Sequence, residues 1–198
     1  MHKKRLVVDH PLWKRLRSLN TTAAKRFNGG FDAAFGSLGL MLHSRLEHGG
    51  YDCTPTNTES FASTGGNGVH FSFLVQDGKV TESSPVVITV PTMIHGQGNF
   101  IGGSSLFDFL CLGYHRGYFA LEQLGAEKCF AAYATSAWWP ESNSDYSKGF
   151  VPSDNQREIL NFLIENLGLS PWTDLRQKFE QLQSTYMPLL EIPDIDDY

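Results

Sequence analysis

The spacing of apolar positions changes character along the chain. Leu12, Leu16 and Leu19 stand at i, i+4 and i+7 and line up on one helical face. Asp9 or His10 sits just ahead of this run, and Pro11 falls in the first turn, where a missing N–H does no harm. Asn28-Gly29-Gly30 breaks the chain. Residues 31–50 are apolar and glycine-bearing, which predicts a weak helix ending at Gly49-Gly50. Residues 52–58 read as a loop.

From Phe61 the period becomes that of strands. Val69, Phe71, Phe73 and Val75 share one side of an extended chain, with His70, Ser72 and Leu74 on the other. Asp77-Gly78 predicts a hairpin turn with a return strand from Val80. The β-branched run between Pro85 and Pro91 reads as a short strand buried on both faces. Met93 to Gly103 looks like a second glycine-rich loop. Ser104 or Ser105 then caps a helix over Leu106–Leu112, ended by Gly113, and a second short helix over Tyr118–Leu124 is closed by Gly125. Residues 140–154 are polar and read as an exposed excursion. Ile159, Leu160, Phe162, Leu163, Ile164 and Leu167 form a helical surface stopped by Gly168. Ser170 and Pro171 read as cap and first position of a last helix carrying Leu175, Phe179 and Leu182.

These elements predict one α+β domain over residues 1–190: an antiparallel, hairpin-based sheet flanked by N- and C-terminal helices. An acidic tail, residues 191–198, is expected to fray. With 198 residues the chain is long enough for a sizeable core, and 41% apolar with 19% charged residues is a globular composition. No apolar run approaches the roughly 20 residues that span a bilayer. Cys53, Cys111 and Cys129 are sparse, odd in number and lack a Cys-x-x-Cys pattern, which argues against a disulfide framework and points to the cytoplasm.

The net charge of −5 conceals a polarity: residues 1–30 carry +7 and residues 151–198 carry −6. The basic segment could touch nucleic acid or an acidic partner. In an acidic chain with no nucleic-acid motif, a solvated amphipathic helix is the favoured reading, and nucleic acid is not an expected partner.

Candidate chemistry centres on the two glycine-rich stretches. Gly65, Gly66, Asn67 and Gly68 lead into the strand that begins at His70. His95, Gly96, Gly98 and Asn99 follow another strand. An antiparallel sheet can place both at one end and bring His70 near His95, where backbone N–H groups could hold an anion or a carbonyl oxygen. Neither stretch matches a phosphate-binding loop, and two turns that need glycine geometry are the favoured reading. The histidines lack metal-ligand spacing, so no metal and no cofactor is expected. Ser105 is best used as a cap, and Cys111 as an inert buried thiol. Trp138, Trp139 and Tyr146 in the aromatic segment are candidate binding anchors, or else fill a sheet–helix junction.

Phe61-Ala62-Ser63-Thr64-Gly65-Gly66-Asn67-Gly68-Val69-His70-Phe71, then Leu106 to Leu110 and Tyr118 to Leu124, resembles bacterial proteins related to the SMI1/KNR4 (SUKH) superfamily. The resemblance spans about a third of the chain. In such proteins the glycine stretch often reads Thr-Gly-Gly-Asp-Gly, so Asn67 stands where an acid is usual. The resemblance implies an α+β, non-enzymatic module, either an adaptor or an immunity protein that binds a toxin. The expectation is therefore a cytoplasmic protein-binding module. The alternative is a small hydrolase or ligand-binding enzyme using His70 and His95 beside the glycine loops.

Overall fold

A computed structural model of the chain describes residues 6–27, 33–93, 97–125 and 153–193. The first elements are strand β1 (Val7–Asp9) and helix α1 (Pro11–Arg26). His10 is the N-cap of α1, its Nδ1 accepting from the Trp13 N–H at 3.3 Å, and Pro11 opens the helix. Trp13, Leu16 and Ala23 face the core. Lys25 and Arg26 fall in the last turn, where cations suit the helix dipole.

After a single turn of helix, α2 (Ala33–Gly36), the strands follow: β2 (Met41–Glu47), β3 (Thr58–Ser63), β4 (His70–Leu74), β5 (Lys79–Thr81), β6 (Val86–Thr89) and β7 (Asn99–Gly103). Five of them form an antiparallel sheet in the order β2-β3-β4-β6-β7, while β1 and β5 pair in parallel as a separate ribbon. Helix α3 (Leu106–Leu112), a 3-10 turn over Phe119–Gly125, α4 (Asp154–Leu167) and α5 (Leu175–Tyr186) complete the described elements. This is the α+β arrangement expected, with helices at both ends of the chain.

The sheet is buried on both faces. One face carries Phe61, Phe71, Phe73 and Ile88 into the main core with Leu106, Phe109 and Tyr118. The Phe109 ring lies 4.9 Å from Phe71 and 5.3 Å from Tyr118. The other face carries Leu74, Val87 and Ile101 beneath Leu182 of α5. On the same side of β4, His70 is buried instead by the loop between β2 and β3, through Tyr51 and Thr54.

Both sheet edges are blunted. Gln183 of α5 accepts from Ile101 N (2.8 Å) and donates to Ile101 O (2.9 Å), occupying the outer groups of β7 as a neighbouring strand would. On the opposite edge, Leu42 pairs with Ala62 and Glu47 with Ser60, so β2 bulges over its charged middle. The last helix is tied to α3 as well. Asp108 accepts from Ser104 N at 2.9 Å, pairs with Lys178, and offers its backbone carbonyl to Trp172 Nε1 at 3.0 Å.

Four expectations need correction. Residues 41–47 are an edge strand rather than the end of a helix: Gly39 (φ +80°) turns the chain, and pairing with β3 then outweighs local preference. The Asp77-Gly78 turn forms, with φ of 52° and 74°, but only Gln76 and Lys79 bridge across it. The chain then leaves to pair with β1, because both sides of β4 are taken by β3 and β6. Residues 99–103 are strand β7 rather than loop. Its glycines serve close packing, since a Cβ at Gly103 would stand 2.5 Å from the Phe109 nitrogen. Finally, α5 is capped by Asp174, whose side chain accepts from Gln177 N at 2.9 Å. The Ser170–Pro171 stretch instead carries Trp172 to α3.

Candidate functional site

Sheet pairing places three polar residues in one row across β4, β6 and β7: His70 opposite Thr89, and Thr89 opposite Asn99. The ends of the two glycine-rich stretches therefore meet at one end of the sheet. The loop between β2 and β3 folds over this row. Thr89 Oγ1 donates to Asn99 Oδ1 (2.7 Å), and Asn99 Nδ2 donates to the Cys53 carbonyl (2.8 Å). All three side chains are buried.

His70 is 3% exposed. Its Nδ1 lies 2.8 Å from the Gly68 carbonyl, which can only accept, so Nδ1 carries the proton. Nε2 then accepts from Thr54 Oγ1 at 3.2 Å. Burial pushes the imidazole pKa below its usual range, against the Gly68 bond that favours protonation, and His43 and His48 lower it further. Tyr51 stacks on the ring at 5.7 Å with a 15° tilt. A side chain at Gly49 would run into it, so only glycine lets the loop pass this close. A neutral imidazole with both nitrogens engaged is a packing element; it would serve as a base only if Thr54 and the loop were displaced.

The Gly65–Gly68 loop stands outside this seal. Gly65, Gly66 and Asn67 are exposed, and Gly65 (φ +90°) and Gly68 (φ +78°) need the left-handed region. Asn67 braces the loop, its Oδ1 accepting from Thr64 Oγ1 (2.8 Å) and Val69 N (3.3 Å). An aspartate could do the same. Asn67 Nδ2, however, also donates to Glu122 Oε2 at 2.6 Å, a bond no carboxylate could make. The neighbouring Glu122 thus accounts for the amide at this position.

Tyr51, 45% exposed, lies against this loop with its hydroxyl end beside Gly68. The exposed surface is thus an aromatic ring held by stacking next to a braced glycine loop. Burial raises the Cys53 thiol pKa and Asp52 raises it further, which keeps that sulfur protonated and weakly nucleophilic. Burial likewise raises Cys111, and Ser105 caps α3 by accepting from Asp108 N. Among the described residues, no three His, Cys, Asp or Glu groups gather in a way that could hold a metal ion. No described helix is long and apolar enough to cross a membrane.

Of the residues singled out from sequence, Gly65, Gly66, Asn67, Gly68, His70 and Asn99 come together at this end of the sheet. His95, Trp138, Trp139 and Tyr146 lie outside the described residues. Tyr51, Thr54, Thr89 and Glu122 were not anticipated. Their partners are distant in sequence, and only the Gly49-Gly50 pair ahead of Tyr51 hinted that this loop needs unusual backbone freedom. No protein-family model, curated protein or solved structure is significantly similar to this chain.

Proposed function

We propose that the chain is a cytoplasmic protein-binding module of the immunity type, one that holds a toxin, and that it acts by seating a partner rather than by chemistry. One observation carries this reading. The histidine best placed for catalysis has both ring nitrogens engaged in a buried network, while the adjoining Tyr51 and Gly65–Asn67 surface is exposed and braced by hydrogen bonds and ring stacking. A fixed aromatic ring loses little conformational entropy on binding, which is why tyrosine is favoured as an interface anchor. The unobstructed backbone at Gly66 lets a partner approach closely. The resemblance of the Phe61–Phe71 segment to SMI1/KNR4-related proteins supports the same function.

Co-expression with each protein encoded beside its gene tests the proposal. A complex that survives size-exclusion chromatography is expected, weakened about thirtyfold or more by Tyr51→Ala, the loss typical of an interface hot spot. Failure to form a complex with any of them would remove the proposal's support.

A further inference from the structure

Helix α1 presents a second surface whose composition specifies the chemistry of what it meets. Its 16 residues include no acid. Lys14, Arg15, Arg17, Lys25 and Arg26 are all exposed, and the exposed positions between them include the hydroxyls Ser18, Thr21 and Thr22. At 100° per residue these side chains occupy one half of the helix, opposite buried Leu16 and Ala23. None of the five cations pairs with a carboxylate among the described residues.

Three of these cations are held in place by their own molecule. Arg17 Cζ lies 5.2 Å from the centre of the Trp13 ring. Arg26 Cζ lies 5.1 Å from Phe27 and 5.6 Å from Phe162. Arg15 donates to the Asn166 carbonyl at 2.6 Å. Guanidinium groups fixed against a surface have less side-chain entropy to lose when they meet an anion.

We infer that the outward face of α1 is an electrostatic docking face for an acidic protein surface. The inference rests on the protein-binding reading and names a property of the partner. Charge complementarity requires an anion. A long nucleic acid would extend past α1 over the acidic remainder of a chain with net charge −5, whereas a compact acidic patch can lie within a Debye length, about 8 Å at physiological salt, of the α1 cations alone. The helix is also too small to form a whole interface. It is roughly 24 Å long and about 10 Å wide, well short of the ~800 Å² that each partner contributes to a stable complex. Its role is to steer and orient the partner, which enters the association rate and its salt dependence.

The probe is a fluorescein-labelled peptide of ten glutamates, followed by anisotropy, with a labelled DNA duplex in parallel. The peptide is expected to bind at 50 mM salt, at least about tenfold more weakly at 300 mM, and more tightly than the duplex. Lys14→Glu/Lys25→Glu should abolish binding. Arg45→Glu/Lys79→Glu, which makes the same charge change at exposed positions elsewhere, should retain most of it. Circular dichroism melts of both variants confirm that each folds. Absence of peptide binding at low salt, equal loss in the two variants, or tighter binding of DNA would each overturn the inference. The titration needs no cognate partner, so its result is independent of whether co-expression yields a complex.

Discussion

Acidification should loosen the N-terminal part of the fold through His10. This side chain is fully buried, packs its ring tilted against Phe73 at 4.7 Å, and uses the Nδ1 lone pair to cap α1. Protonation would destroy the cap and leave a charge in the core. Burial holds its pKa below the usual value, although Glu82, its own backbone and Asp9 favour the charged form. The folded protein therefore binds fewer protons than the unfolded chain once the pH falls below about 6.5. The stabilising contribution is complete above that pH and is lost as the pH drops toward the folded value. The slope is at most about 1.4 kcal/mol per pH unit, and it acts only between the unfolded and the lowered folded value. For a chain of this size each kcal/mol lost lowers Tm by about 2–4 °C. His70, buried and shifted the same way, adds to the loss. His10→Asn keeps a capping oxygen and removes the titration. Thermal melts at pH 7.5, 6.5, 5.5 and 5.0 should show a shallower decline for this variant than for the wild type. Parallel curves for the two proteins would refute the argument.

Two further substitutions probe the site and the sheet edge. Asn67→Asp should cost about 1 kcal/mol at pH 7, because it replaces the bond to Glu122 with carboxylate repulsion. Adding Glu122→Gln should recover most of this in a double-mutant cycle followed by urea unfolding. Gln183→Leu leaves the Ile101 N–H and C=O without their partner, at a cost of about 1–3 kcal/mol. It also opens the β7 edge, so light scattering during refolding should reveal more association than in the wild type.

The parts of the fold legible in sequence were those set by local chemistry. Ser105 capping α3, Gly168 ending α4 in the left-handed region, and the Asp77-Gly78 turn each carry their signal within a few residues. The misread parts depend on contacts made elsewhere. Gly102 and Gly103 look like loop glycines, yet they are small because α3 packs against β7. Met41–Glu47 lacks strand alternation because it bulges at an edge. At the candidate site the glycine loop was visible, but the state of His70 was not. Its neutrality and its seal depend on Thr54 and Tyr51, which no spacing in the chain links to it.

Gly66 offers the most direct test of partner binding at this surface. It sits exposed in the loop, outside the left-handed region, and a side chain there would meet open space. Gly66→Trp should therefore leave the fold intact while obstructing the surface beside Tyr51. The decisive measurement is the Kd of the complex recovered by co-expression, for the wild type and for Gly66→Trp. The account predicts that Kd rises about a hundredfold or more in a variant whose Tm is unchanged, a loss on the scale of an interface hot spot. An unchanged Kd would contradict it.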